Sequence, residues 1–233
     1  MSAIFVAGTD TNVGKTHVCG LLLGFLREKN VAAGYQKWAA TGPEFPPADL
    51  EECLSLAQLP LVPELVGSQV VYHFPMPASP HLAAEQVGAI VDPALIRARY
   101  REMLACHELL IVEGVGGLMV PLNRELLLVD LLRELKIPTL LVAKSGLGTI
   151  NHTLLSLESL RHRDIPVLGV VFSDGVVEEE AVLVEDNMRT IAEIGRAQVF
   201  GRLRRCLDPV EARSDFVPVG AAIADALGAA RIL

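Results

Sequence analysis

The stretch GTDTNVGKT, Gly8 to Thr16, follows the apolar run Ala3-Ile4-Phe5-Val6-Ala7 and ends in the Gly-Lys-Thr that closes a phosphate-binding loop. Its spacing departs from the usual GxxxxGK[ST] by one residue, because five residues rather than four separate Gly8 from Gly14. Strand, glycine-bearing loop and helix start nevertheless coincide. In that setting the backbone N–H groups of Asn12, Val13, Gly14, Lys15, Thr16 and His17 wrap a phosphate chain, Lys15 reaches the terminal phosphates and the Thr16 hydroxyl faces Mg²⁺. The bland alternative is a glycine-rich turn that merely starts a helix.

Outward from this loop, short aliphatic runs alternate with longer helical patterns, with no internal repeat and no low-complexity linker. The spacing predicts strands at Ala3–Ala7, Ala33–Lys37, Leu109–Glu113, Thr139–Ala143 and Val167–Phe172, and a shorter one near Gln198–Gly201. Helices are predicted at Lys15–Lys29, Ala48–Gln58, Pro93–Cys106, Leu126–Leu135, Ile150–Arg161 and Glu178–Ile194. Asp92-Pro93 supplies a start signal, since Asp caps a helix and Pro fits its first position. Alternating strands and helices imply one α/β domain over residues 1–233 with a P-loop NTPase fold. Its sheet is mostly parallel with helices on both faces, and its ligand sites gather at the carboxyl ends of the strands.

Composition supports that class. Hydrophobic residues make up 51% of the 233 and aromatics only 5%, so the core is built from Leu, Val, Ile and Ala, as in aliphatic strands covered on both faces. A net charge of -8 argues against a phosphate-backbone binder, and nucleic acid is not expected as a partner. Cys19, Cys53, Cys106 and Cys206 are widely spaced and form no CxxC, which reads as buried thiols in a reducing cytoplasm. Met1 leads directly into a strand with no basic segment before it, and no apolar run approaches the roughly 18 residues of a membrane span; neither export nor membrane insertion is expected.

Polar residues gather where the ligand is expected. Lys37 closes the second predicted strand and is one of only five lysines among twenty basic residues. It is placed to neutralise an anionic substrate or a transferring phosphoryl group, unless it is simply a solvated edge lysine. Glu113 closes the third predicted strand and is followed by Gly114-Val115-Gly116-Gly117. It is placed to hold Mg²⁺ as Walker B acids do, the alternative being a carboxylate that accepts bonds from a tight glycine turn. Asp49 offers a second carboxylate, yet also reads as an ordinary first-turn helix residue.

Two proline- and glycine-bearing stretches, Met76-Pro77-Ala78-Ser79-Pro80-His81 and Leu147-Gly148-Thr149-Ile150-Asn151-His152, read as site-building loops. A single His near a helix start more often caps or fills space than moves protons, so His81 and His152 are not assigned chemistry. No Ser/His/Asp order, no HExxH and no His/Cys ligand cluster appears.

Taken in order, GTDTNVGKT, GYQKWAATG, PASPH, VEGVGG and LGTINH resemble the dethiobiotin synthetase family over about residues 3–175. The family's own loop has the pattern GTDTxVGKT, so the extra residue is a family trait. The resemblance implies an ATP-dependent cyclo-ligase of biotin biosynthesis that joins 7,8-diaminononanoate and CO₂ through a carbamate and a carbamic–phosphoric anhydride, giving dethiobiotin, ADP and phosphate. It implies Mg²⁺ held by Thr16, Asp49 and Glu113, phosphates held by Lys15, and the carbamate and transferring phosphoryl contacted by Lys37. By the same resemblance Gly116, Ser173 and Asp174 join the nucleotide site, while Thr11, Thr41, Pro80 and Gly117 line the diamine site. Leu147, Gly148 and Asn151 would hold the substrate's distant carboxylate from a partner subunit, so a homodimer with shared sites is expected.

Two departures from the family pattern stand out. Trp38 replaces the Pro that often follows the lysine, placing a bulky ring in or beneath the substrate pocket. Ser173-Asp174 stands where the family often has an adenine-reading Asn, and a later Pro-containing loop is replaced by Gly201-Arg202-Leu203-Arg204-Arg205, which would relax discrimination among bases. Competing readings are a partition-type or septum-positioning ATPase switch and a noncatalytic regulatory P-loop domain. The first usually carries a second lysine early in its loop, absent from Gly8–Asn12; the second would require neither Lys37 nor the PASPH loop.

Overall fold

The computed structural model describes residues 2–174, 179–204, 206 and 208–233. Its elements run β1 (Ser2–Gly8), α1 (Lys15–Glu28), β2 (Ala33–Thr41), α2 (Ala48–Leu56), a 3₁₀ turn (Pro63–Leu65), α3 (Val66–Gln69), β3 (Val70–Phe74), α4 (Pro80–Gln86) and α5 (Pro93–Ala105). They continue β4 (Leu109–Gly117), α6 (Leu128–Leu135), β5 (Thr139–Lys144), α7 (Thr149–Arg161), β6 (Val167–Ser173), α8 (Ala181–Ile194), β7 (Val199–Leu203) and α9 (Pro209–Ala229). The strands form one seven-stranded sheet in the order β3-β2-β4-β1-β5-β6-β7, every pair parallel. This is an α/β fold of the P-loop NTPase kind.

Alternation along the strands divides the apolar residues between two cores. Ile4 and Val6 of β1, Tyr35 of β2 and Ile111 of β4 face α1, α2 and α9. Phe5 and Ala7, Trp38, and Leu110 and Val112 face α5, α6 and α7 on the other side. Lys37 and Glu113 share the alternation of Tyr35 and Ile111, so both project toward the α1 side.

Several predicted boundaries shift for identifiable reasons. β2 runs on past Lys37 to Thr41 and β4 past Glu113 to Gly117, so both residues lie inside strands rather than at their ends. For β2 the cause is β3, a strand that the sequence pattern does not show, whereas β4 runs on beside β1 as far as the pair Gly8 and Gly117. β4 pairs with β2 only as far as Lys37, and from Lys37 to Thr41 the ladder is taken over by β3. β3 itself, VVYHF, is a five-residue edge strand with three half-buried positions, too short and too evenly mixed to display a period. The long helix α9 is likewise hidden in the sequence, because Pro218 lies inside it and reads as a breaker. Tertiary packing wins there: Phe216, Val219, Ile223 and Leu227 are buried, and the Phe216 ring meets Phe25 of α1 at 6.2 Å. The Asp92 start signal holds, with its carboxylate accepting from Ala94 N at 2.7 Å. Glu178, at the start of the last predicted helix, and Arg205 of the late loop lie outside the described residues.

Cys19 and Cys53 are buried, and burial pushes both thiols up. Cys106 is exposed, against expectation, because it falls just beyond the last turn of α5. Among the described residues no helix is long and apolar enough to cross a membrane.

Trp38 is fully buried on the face away from Lys37, 4.9 Å from the Phe5 ring and 6.5 Å from the Tyr100 ring. It therefore packs beneath the sheet and does not enter a pocket on the α1 side. Trp38→Ala is expected to lower stability by about 3–5 kcal/mol through the void left in this aromatic cluster, read as a lower urea midpoint in far-UV circular dichroism.

Candidate active site

The loop after β1 is built to leave backbone donors unpaired. Asn12 and Gly14 both take left-handed φ values, 57° and 92°, which turn the chain sharply into α1. Gly14 caps that helix without a side chain, and its first turn carries no acidic residue, so the leading N–H groups and the positive end of the helix dipole are free for an anion. Lys15 folds back over the loop and donates to Asp10 O at 2.8 Å. Burial pushes its ammonium down to about 8, against the attraction of Glu113.

Behind the loop sits a charged cluster. Lys37 and Glu113 are in direct register across β2 and β4, buried at 3% and 0% exposure. Lys37 Nζ lies 2.6 Å from Glu113 Oε1 and 2.6 Å from Asp49 Oδ2. The Thr16 hydroxyl donates to the same Glu113 oxygen at 2.8 Å and lies 3.4 Å from Asp49 Oδ1. The Tyr35 hydroxyl donates to Glu113 Oε2 at 2.6 Å. Burial alone would draw the Lys37 proton off, but Glu113 and then Asp49 outweigh it and hold the ammonium above the ordinary lysine range. Burial and the Glu113 charge push the Tyr35 phenol up, so it stays a donor.

Thr11, Asn12, Gly14, Lys15, Thr16, His17, Lys37, Thr41, Asp49, Glu113 and Gly116 line one cavity of about 330 Å³, together with Ala39, Glu52 and Val115. Glu52 carries no sequence signal of its own; it lies across from His17, 3.7 Å from the imidazole Nδ1. The remaining candidates lie off this cavity. Val13 is buried in the core, Pro80 starts α4, and Gly117 is paired with Gly8. Ser173 packs on Gly14, and Asp174 is turned into a two-point ion pair with Arg202 at 2.7–3.1 Å. Leu147 is 79% exposed, Gly148 caps α7 and Asn151 is exposed on its first turn.

Hard oxygen donors from Thr16, Asp49 and Glu113 converge around a cation, the Lys37 ammonium, and this donor set fits Mg²⁺ in chemistry and charge. Among the described residues no group of three or more His, Cys, Asp and Glu forms a self-sufficient metal site. A divalent ion here would be shared with phosphate oxygens, as Mg²⁺ usually is.

Comparison with known proteins decides the family. An ATP-dependent dethiobiotin synthetase BioD of Rhodopseudomonas palustris (strain HaA2) is 42% identical, over 88% of this chain and 86% of that protein. The chain belongs to the ATP-dependent dethiobiotin synthetase family. The family member of Nitrosopumilus maritimus (strain SCM1) is 31% identical, over 87% of this chain and 89% of its own length. A family model described as an AAA domain matches residues 2–211. Among solved structures, the MinD cell division protein of Aquifex aeolicus superposes with a TM-score of 0.57 at 12% identity, over 99% of this chain and 97% of that one. That likeness shows the shared fold alone, so the switch-ATPase reading gains nothing beyond topology.

The close fit of Gly14 against Ser173 makes the dethiobiotin synthetase loop testable. A Cβ on Gly14 would lie 2.4 Å from Ser173 Oγ, on a residue whose φ already disfavours any side chain. Gly14→Ala is expected to cost about 1–3 kcal/mol, seen as a lower melting temperature, and to weaken nucleotide binding. Adding Ser173→Gly removes the clash but not the backbone strain, so it should recover part of the stability and no more.

Proposed function

We propose that the chain acts as a dethiobiotin synthetase through the register-matched pair Lys37 and Glu113 beside the phosphate loop, the observation that carries the reading. The reaction joins 7,8-diaminononanoate, CO₂ and ATP in one P-loop domain spanning residues 1–233. An amine of the diamine adds to CO₂ and loses a proton, giving a carbamate. A carbamate oxygen attacks the γ-phosphorus, the bond to the bridging oxygen breaks, and ADP leaves. The neighbouring amine then attacks the carbamic carbon of the mixed anhydride and expels phosphate, closing the ureido ring and releasing a proton.

Such chemistry asks for positioning and charge neutralisation more than for a strong base. The loop N–H groups of Asn12 to His17 cradle the phosphates, and Lys15 meets the β- and γ-phosphates from within the loop. Thr16, Asp49 and Glu113 would hold Mg²⁺, which supplies charge neutralisation across the phosphates when bound. Lys37, kept protonated by its carboxylate neighbours, stands where the carbamate and the transferring phosphoryl meet. Thr11 and Thr41 offer hydroxyls to the diamine from the same cavity, and Gly116 shares its wall. Pro80 and Gly117 would shape the approach from outside it. Leu147, Gly148 and Asn151 lie off this chain's own cavity, which supports a homodimer in which they serve the partner's site. Four cysteines without a disulfide suit a cytoplasmic setting.

At the base end, Asp174 is engaged by Arg202 and offers no amide. Relaxed base choice is the hypothesis this motivates, because losing an amide that pairs donor and acceptor removes a strong means of rejecting analogues.

Incubation with 7,8-diaminononanoate, bicarbonate and MgATP should give dethiobiotin by mass spectrometry in step with ADP; no product with nucleotide still bound would refute the reading. CTP and GTP in parallel lanes should sustain turnover on the same order as ATP. Lys37→Ala should lower turnover by about 10²-fold or more, the scale seen when a transition-state charge partner is removed, while nucleotide affinity changes far less. Equal losses in both would assign Lys37 to binding alone.

A further inference from the structure

Glu113 has three donors, and they come from different places. Thr16 and Lys37 reach Oε1 from the walls of the cavity that faces nucleotide and substrate. Tyr35 reaches Oε2 from the protein interior: it is 1% exposed and lines no part of that cavity. It stands two residues before Lys37 on the same face of β2, opposite Ile111 of β4, so its long side chain runs diagonally up the sheet to Glu113. The far side of its ring borders a separate, mainly apolar hollow between α1, α2 and α5.

We propose that Tyr35 is a positioning residue that holds Glu113 by Oε2 so that Oε1 is presented to the cation shared with the nucleotide phosphates. The inference rests on the reading of Glu113 as a Mg²⁺ ligand. A carboxylate held at one oxygen only can turn about its terminal torsion, which is broad and soft. Thr16 and Lys37 cannot fix it, since both act on the oxygen that the cation shares. Tyr35 alone among these three donors is independent of what fills the cavity. Partners of this kind, one step behind a metal ligand, typically change metal affinity or activity by about 10–100-fold when removed. A phenol suits this role because it is rigid and neutral, and it donates to a buried carboxylate without adding a charge that would compete with the cation.

The test is the coupling between Mg²⁺ and nucleotide binding, measured by titrating a fluorescent ADP analogue with and without Mg²⁺. Tyr35→Phe keeps the ring and removes the hydroxyl. Its expected effect is an increase of about 10-fold in the Mg²⁺ concentration needed for half-maximal tightening, with metal-free affinity unchanged. Unchanged coupling, or an equal change with and without metal, overturns the proposal. Glu113→Gln separates the two levels of inference: if it abolishes the coupling while Tyr35→Phe leaves it intact, only the positioning role fails. If it too leaves the coupling intact, the reading of Glu113 as a ligand fails.

Should Tyr35→Phe be too unstable to titrate, 3-fluorotyrosine can replace the three tyrosines of the chain, with Tyr72→Phe and Tyr100→Phe assigning the signals. The Tyr35 fluorine resonance should move when Mg²⁺ joins bound ADP and stay in place with ADP alone. A resonance indifferent to Mg²⁺ overturns the proposal.

Discussion

A buried carboxylate inside a sheet is the constraint on which the site depends. Glu113 is fully enclosed between β1 and β2, where an unpaired charge would be strongly destabilising. It is tolerated because three donors converge on it, one of them the Lys37 ammonium in direct register on the neighbouring strand. The requirement runs in both directions, since Lys37 is buried too and is kept protonated by Glu113 and Asp49. Parallel pairing of β2 with β4 is therefore more than scaffold: a one-residue slip would turn a strand's charge to the opposite face, into the aromatic cluster around Trp38.

The two faces of the sheet divide the labour accordingly. On one, Trp38, Phe5 and Tyr100 pack into an aromatic cluster. On the other, the same strand presents Lys37 and, at its end, Thr41 to the cavity, with Tyr35 beneath them donating to Glu113. Consecutive residues Lys37 and Trp38 thus serve unrelated ends, which is possible only because a strand alternates its side chains. A tryptophan beside a buried, ion-paired lysine in the sequence is, in space, its counterweight on the far side of the sheet.

How much of this the sequence carries depends on whether the signal is local. The phosphate loop is legible because strand, glycine and helix start are contiguous, and the parallel α/β class because aliphatic runs alternate with helical ones. The convergence of Lys37, Glu113, Thr16 and Asp49 in one cavity could be expected from strand position and family likeness, and their geometry follows that expectation. β3 and α9 are not legible, one being a short edge strand whose pattern is decided by its partner, the other carrying a proline that long-range packing overrides. Both matter to the architecture, and β3 matters to the cavity: it pairs with β2 from Lys37 to Thr41, and so holds Thr41 at the cavity wall.

Tyr35 escapes a sequence reading for a different reason. Its spacing of two from Lys37 places it on the site's face, and that signal is available from alternation alone. What the sequence hides is depth, for an aromatic residue in a buried strand reads as core, and this one is core along its ring and polar at its tip. The residue that fixes Glu113 from behind is thus invisible to any reasoning confined to strand ends, where ligands gather. Supporting positions in this fold are better sought one alternation step before the residues that face the ligand, because a long side chain leaning along the strand arrives beneath the site from there.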